Sequence, residues 1–541
     1  MLLEAVLSVR DVGRLYEIAA VLIRHGFGDM VRRLGLADAL ESAGHVLKWQ
    51  DAAALAHMAP AARVVRALEE LGPTFVKLGQ MLATRVDLFD PEWIAQLGRL
   101  HDHARAASFE DVRAQIIEDL GQPPEEAFAE FGMEPLAAGS LAQVYAARLH
   151  TGESVIVKVR RPGIRAVVEA DLRLLHRLAQ AAESQSPALR IFGPRRLARE
   201  FSQSLRRELD FASEARNATR MIGNFAAYDD GEDAAADPGE PPRETPILIP
   251  RVFSSCERLC VQQRVEGIAG TRLDLVDEAG LDRRLLARRG ARAVLKMIVE
   301  DGFFHADPHP GNVFYLQDHR VAFIDFGMVG HLTEERRLQL AQLLVGLVRH
   351  EAGMVADVLL AWTGDEAADK ADLVAEIEDF VARYSGVSLR QLRFGGMLNE
   401  VLAILRGHHL ALPSDLGLLI KAFITLEGMG RDLDPDFDMA AEALPVLERA
   451  LRAHYAPEQV LRRGWASMRS LLADVSSMPG ELAALLRALR RGRLDIHVDV
   501  PAVRAVGTQI DRAATRLAVG IVVAALIIGS SIVMTVPGGP Q

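Results

Sequence analysis

Three oxygen-bearing side chains lie close together in the stretch Asp301 to Gly327, DGFFHADPHPGNVFYLQDHRVAFIDFG. Asp307 precedes Asn312 by five positions, and Asp325, which opens an Asp-Phe-Gly turn, follows Asp307 by eighteen. Two carboxylates and an amide suit a hard cation such as Mg²⁺, which takes oxygen ligands and binds phosphate oxygens alongside them. Phosphoryl transfer leaves little covalent work to a protein, so a site for it needs such ligands and one residue that orients the attacking oxygen. Asp307 is the candidate for orienting that oxygen, and Asn312 and Asp325 are the candidate metal ligands. The alternating apolar run Val321 to Ile324 predicts the strand that delivers Asp325.

The spacing matches a protein-kinase catalytic loop and the DFG turn after it. The partner elements lie upstream in PLAAGSLAQVYAARLHTGESVIVKVRRPG, residues 135–163. Leu141, Val144 and Tyr145 predict one strand, Thr151-Gly152-Glu153 a hairpin turn, and Val155 to Lys158 the return strand. A lysine ending a β-branched run can grip the nucleotide α and β phosphates. Ahead of it, Ala137, Ala138, Gly139 and Ser140 form a loop of small residues whose backbone amides can approach phosphates. The segment Arg199 to Met221 predicts a helix carrying Glu208, Asp210, Glu214 and Asn217, and the last three share a face by spacings of four and three. Glu214 is the candidate partner of Lys158. A strand ending at Val265-Glu266-Gly267 suits a hinge between lobes, which places Glu266 at the adenine side. A long activation segment after Gly327 is missing, because Thr333-Glu334-Glu335 starts a helix at once.

The chain has 541 residues and a formal net charge of −11, half of it apolar, so several domains with a large core are expected and nucleic acid is not the expected partner. Its two cysteines, Cys256 and Cys260, indicate a reducing compartment and read as strand packing. His101 and His103 read as solvated loop, and the acidic, Gly- and Pro-rich residues 228–246 as a flexible surface loop. The first residues lack a signal-peptide pattern and form a basic amphipathic helix, which suits either an anionic membrane surface or packing on the body. A further helix breaks at Gly72-Pro73 and continues with Lys77, Gln80 and Thr84 on one face, either solvated or functional; Gly79 inside it suggests close approach of another backbone or a ligand. Lys421 and Glu427, in a later helical stretch, read as structural. Residues 517–536, LAVGIVVAALIIGSSIVMTV, carry no charge over a length that crosses a bilayer core, and follow Arg512 and Arg516. The positive-inside rule then puts the catalytic body on the cytoplasmic side. Small residues in this span permit helix pairing, and through it a homodimer.

Together these motifs resemble the UbiB/ADCK family of atypical kinase-like proteins over about residues 65–440. The residues that carry the likeness are Lys77-Leu78-Gly79-Gln80, the Ala-rich loop, Glu208-Leu209-Asp210, Asp307 to Asn312, and Asp325-Phe326-Gly327. Gly139 stands where the family commonly has a third alanine, and this chain has room for one C-terminal span where bacterial members often carry two. The resemblance implies an α+β, protein-kinase-like two-lobe fold with a helical N-terminal extension and a C-terminal transmembrane helix. It implies that the Lys77 helix covers the place where a protein substrate would dock, with Lys77 facing Glu208 and Asp210. It also implies ATP and Mg²⁺ as cofactors, an ATPase sensitive to membrane lipids or quinone precursors, and support of quinone-modifying enzymes in ubiquinone biosynthesis at the cell inner membrane. A kinase acting on a lipid or small molecule and a nucleotide-sensing scaffold are the competing readings. The expected divisions are an N-terminal helical segment (1–60), the helical extension (61–130), an N-lobe (131–267), a helical C-lobe (268–510) and the membrane helix (517–536).

Overall fold

The computed structural model describes residues 9–33, 58–83, 85, 88–100, 106–185, 193–232, 244–363, 370–384, 394–408 and 414–454. Residues 1–456 form one compact unit and 457–541 another. The second unit lies outside the described residues, and with it the division at 510 and the expected membrane helix 517–536; Thr84, His101 and His103 also lie outside them. Among the described residues no helix is long and apolar enough to cross a membrane.

The N-terminal extension comprises α1 (Val9–Arg24), α2 (Gly28–Arg33), α3 (Pro60–Leu71), α4 (Pro73–Ala83) and α5 (Pro91–Leu97). The basic amphipathic helix α1 packs on the body. Its Leu15, Ile18 and Ala19 are buried at i, i+3 and i+4, in one core with Leu68, Leu71, Phe75 and Leu174. Arg14 fixes its angle by donating to Asp171 and to the Leu71 carbonyl, each at 2.7 Å. Gly72 turns the chain between α3 and α4 with φ +95°, a conformation open to glycine, and Pro73 begins α4 where its missing N–H costs nothing. The protein atoms that approach Gly79 closely belong to side chains. A Cβ there would lie 2.2 Å from Leu100 Cδ1 and 2.8 Å from Leu68 Cδ1, so glycine lets α4 seat against its neighbours.

The small lobe holds α6 (Phe109–Leu120), α7 (Pro124–Ala127), β1 (Glu130–Ala138), β2 (Ala142–Arg148), β3 (Ser154–Arg160), α8 (Ile164–Gln185), α9 (Pro194–Glu208), α10 (Phe211–Phe225), β5 (Val252–Ser255) and β6 (Leu259–Gln263), while β4 (Ile247–Leu248), between α10 and β5 in the chain, joins a sheet of the large lobe. Five of the strands form an antiparallel sheet in the order β1-β2-β3-β6-β5. Alternation along β3 sends Val155, Val157 and Val159 into a core with Tyr145 and Val261, and Lys158 to the other face. Ala137 and Ala138 are strand residues and not loop: they pair with Val144 and Gln143 after a register slip at Pro135. The helix expected over 199–221 is two helices. Buried Arg160 donates to the Leu209 carbonyl at 2.8 Å, and Asp210 caps α10 by accepting from the Ala212 N–H at 3.1 Å.

The large lobe begins with β7 (Ile268–Ala269), α11 (Leu273–Glu278) and α12 (Arg283–Leu295), followed by a π-helical turn (Lys296–Glu300), β8 (Phe303–His305), β9 (Val313–Tyr315), β10 (Val321–Phe323) and β11 (Val329–His331). The apolar run 247–253 is split across the lobes. β4 pairs in parallel with β10 in the sheet β4-β10-β9-β7, while β5 stays with β6, with Pro250 between them. Asp282 caps α12, and the helical stretch ends before Phe303 to His305, which pair with β11. The start of the acidic stretch 228–246 is anchored: Asp230 forms a buried 2.9 Å ion pair with Arg289. Beyond β11 come α13 (Glu334–Arg349), α14 (Ala352–Thr363), α15 (Lys370–Tyr384), α16 (Phe394–Gly407), α17 (Ser414–Leu433) and α18 (Met439–His454), with α17 packed on α12 and β11.

Candidate active site

Lys158 reaches the buried Glu214 carboxylate at 2.5 Å, across the face of the sheet opposite the valine core. Glu214 faces inward because Phe211, Ala215 and Ala218 bury the same side of α10. Burial works against the charge on Lys158, but Asp325 and Glu214 outweigh it and raise its pKa, so the ammonium persists. Burial in turn pushes the Glu214 carboxyl up against the pull of Lys158. Cys260, the register partner of Lys158 in β6, is buried, and burial pushes its thiol up to about 12, which suits packing and not reactivity.

Asp325 stands two residues beyond β10 with φ +65°, a backbone region that aspartate and asparagine enter more readily than most residues. Its Oδ1 accepts from the Gly327 N–H at 3.2 Å, which holds the turn. Solvent reaches the carboxylate, yet Lys158 above all holds its pKa down at about 2, with further help from the Gly327 N–H and Lys77. Asn217 of α10 donates to the Phe326 carbonyl at 2.9 Å, so one helix carries both the Lys158 partner and a tie to the DFG turn.

The loop from Asp307 to Asn312 is tied to this turn by backbone and imidazole. Ile324 N donates to the Asn312 carbonyl at 2.9 Å and Ala306 N to the Met328 carbonyl at 3.1 Å. Fully buried His305 accepts from the Asp307 N–H at Nδ1, 3.1 Å, which leaves Nε2 to donate to the Ile324 carbonyl at 3.0 Å. The signal for His305 in the sequence is a histidine inside the apolar run Phe303 to Ala306, a polar group with a task. Burial holds its pKa below the ordinary value, so the unfolded chain takes up a proton that the folded one refuses. Stability is therefore lost as pH falls below about 6.5. The margin of the wild type over His305→Gln, from urea unfolding at pH 7.5 and 5.5, should shrink by up to about 1.4 kcal/mol per pH unit in that range; a margin independent of pH would contradict it.

Asp307 bonds through Oδ1 to Lys421 of α17, at 2.8 Å. Burial tends to raise its pKa, but Lys421 outweighs that and the carboxylate titrates below its usual range. Lys421, read from sequence as structural, thus belongs to the site; a lone lysine in the apolar run LLIKAFI was the available signal. Glu427 is structural, accepting from the Gly395 N–H and pairing with Arg431.

Asp307, Asn312, Asp325, Lys421, Lys77 and Glu208 all line one cavity of about 760 Å³. Lys77 of α4 forms an ion pair with Glu208 at the end of α9. Gln80 donates to the Leu100 carbonyl at 3.1 Å and so ties α4 to the segment after α5. Met81, Phe89, Ile94, Leu100, Phe201 and Ile424 supply an apolar wall. Asp210, expected beside Lys77, instead caps α10 and meets Arg216 at 3.4 Å. Lys158, Glu214, Ala137, Ala138, Gly139, Ser140 and Glu266 do not line this cavity, and the Lys158–Glu214 pair lies buried behind Asp325. The Gly139 N–H, expected to face phosphates, donates to the Ala142 carbonyl within the hairpin. Glu266 is exposed, and the glycine after it is required by packing, since a Cβ at Gly267 would lie 2.9 Å from the Tyr315 carbonyl oxygen.

The donor set fits a magnesium nucleotide. Among the described residues no three His, Cys, Asp or Glu side chains gather to hold a metal. One carboxylate and one amide oxygen instead match an ion that keeps waters and takes phosphate oxygens as its other ligands. Asn312 commits its Nδ2 to the Asp307 carbonyl at 3.2 Å, so its oxygen is the end that a cation would use.

Residues 99–359 match the ABC1 atypical kinase-like domain, 377–438 the UbiB helical domain, and 501–541 the ABC1/UbiB kinase-like C-terminal domain. A probable protein kinase UbiB of Pseudomonas putida (strain F1) is 32% identical over 515 residues, covering 94% of this chain and 91% of that one. One from Xanthomonas campestris pv. campestris (strain B100) is 31% identical over 495 residues, covering 89% and 86%. The chain belongs to the UbiB family. Among solved structures, Rv3197 from Mycobacterium tuberculosis, in complex with erythromycin, aligns with a TM-score of 0.46 at 19% identity, covering 70% of this chain and 92% of that one. In this UbiB-family chain Lys158, Glu214, Asp307, Asn312 and Asp325 all fall within the atypical kinase-like match, whereas Lys77 precedes it and Lys421 falls in the UbiB helical match.

Proposed function

We propose that this UbiB-family chain is a membrane-anchored, kinase-like ATPase that supports isoprenoid quinone biosynthesis by giving soluble modifying enzymes access to lipid precursors. The observation that carries the reading is the shared cavity. The metal-ligand candidates Asn312 and Asp325 and the acceptor-side Asp307 open onto a space that Lys77 of the extension and its partner Glu208 also line. Mg-ATP, when bound, supplies the transferable phosphoryl group and its leaving group. Asn312 and Asp325 would hold the metal, and Lys158, kept in place by Glu214, would hold phosphate oxygens. Asp307 would accept a hydrogen bond from the attacking water and take its proton as the new oxygen–phosphorus bond forms. The extension occupies the acceptor side and an activation segment is short, which argues against a protein substrate. The apolar run 517–536, with Arg512 and Arg516 before it, would anchor the chain in the inner membrane with the catalytic body cytoplasmic, and its small residues permit a homodimer.

The test is the purified full-length protein with Mg-ATP and vesicles of phosphatidylethanolamine and phosphatidylglycerol, together with quinone profiles of cells lacking the gene. Free phosphate release stimulated by vesicles, with loss of quinone in the deletion, is expected. Nucleotide binding without release would point to a sensing scaffold. A cavity of about 760 Å³ beside Asp307 also has room for a small acceptor, which favours a second reading, a kinase acting on a lipid or small molecule. Label from ATP appearing on a membrane extract would select it.

A further inference from the structure

The catalytic loop carries no lysine or arginine between Asp307 and Asn312. Two histidines also lie near Asp307: His305, which accepts from its backbone N–H, and His309, whose Nε2 stands 4.0 Å from Oδ2 and whose Nδ1 accepts from the Gly311 N–H at 3.0 Å. The cation in contact with Asp307 comes instead from Lys421, 114 residues away in sequence. Its helix is held independently of that contact. Leu416, Leu419, Ala422, Phe423 and Leu426 of α17 are buried, while Lys421, Ile424 and Thr425 face the cavity.

We propose that Lys421 is a positioning residue of the phosphoryl-transfer site, fixing the Asp307 carboxylate through Oδ1 so that Oδ2 is presented to the attacking oxygen. Two observations favour this over a tie between helix and loop. The side chains of Lys421 and Asp307 are 28% and 26% exposed, and an ion pair that solvent reaches adds little beside the buried apolar residues of the same helix. Both also open onto the cavity that holds Asn312 and Asp325, so the pair forms where the acceptor must sit. The inference rests on the ATPase reading above and deepens it, by naming what aims the orienting carboxylate.

The experiment is a double-mutant cycle on the full-length protein, with free phosphate measured in the same vesicles. Lys421→Met should lower kcat by about tenfold to a hundredfold, the scale of a misplaced reacting group, with KM for ATP and the urea midpoint little changed. Lys421→Arg, which keeps a cation on the carboxylate, should recover most of the loss. The decisive comparison is Lys421→Met in an Asp307→Asn background. A residue that acts through Asp307 has nothing left to position there, so the double variant should be no slower than Asp307→Asn alone. Losses that multiply, or a Lys421→Met enzyme with normal kcat, overturn the inference while leaving the ATPase reading in place. If Lys421→Met lowers the urea midpoint, the Arg variant and the cycle still decide. A wild type without turnover overturns the ATPase reading and this inference together.

Discussion

Asp325→Asn should abolish phosphate release, by about 10³-fold or more, while leaving the protein folded. Asparagine is the informative substitution because it preserves everything about Asp325 except its charge. It enters the left-handed backbone region that φ +65° requires, and its side-chain oxygen can still accept from the Gly327 N–H. Alanine would add backbone strain and confuse folding with function. What asparagine removes is the negative charge that helps keep Lys158 protonated and that would bind the metal. Losing one preorganised electrostatic partner typically costs about 10²–10³ in rate, and a weakened metal site adds to that. The check pairs phosphate release with the urea midpoint. Turnover within about tenfold of wild type would dispose of Asp325 as a metal ligand, and a collapsed midpoint would mean that the turn is needed for folding first.

Asp307, Asn312 and Asp325 were legible in the sequence because their spacing is short and the strand between them shows its alternation. Lys158 and Glu214 were legible for a similar reason. A lysine at the end of a β-branched strand and a carboxylate on a half-buried helix each carry a local signal, and pairing them needs only the order of the lobes. What the sequence hid depends on partners distant along the chain. Ala137 and Ala138 look like loop, but their pairing with β2 follows a register slip that no local pattern announces. One apolar run around Pro250 serves two sheets, because β4 finds β10 more than seventy residues later. The break at Leu209 and Asp210 depends on Arg160 reaching a carbonyl from β3. Lys421 and His305 each show in the sequence as a polar residue in an apolar run, but their roles were hidden for the same reason: each takes its meaning from a contact that the chain makes only once folded.

The second large effect concerns Lys158 and Glu214, and it separates stability from activity. Lys158→Met strands a carboxylate that is 7% exposed, and removing one member of a buried pair costs about 3–5 kcal/mol because the other charge is left uncompensated. Changing both, Lys158→Met with Glu214→Leu, replaces the pair by apolar groups of similar size, which is often neutral or stabilising. The urea midpoint should therefore fall sharply in the single variant and return close to the wild-type value in the double. Phosphate release should not return, because a methionine cannot hold phosphate oxygens where the lysine of a kinase-like site does. The residual acid, Asp325, does not reverse the stability outcome, since solvent reaches it through the cavity. Turnover restored in the double variant would show that the pair only braces α10 against the sheet. A midpoint that stays low would show instead that the sheet cannot close over two apolar groups at that position.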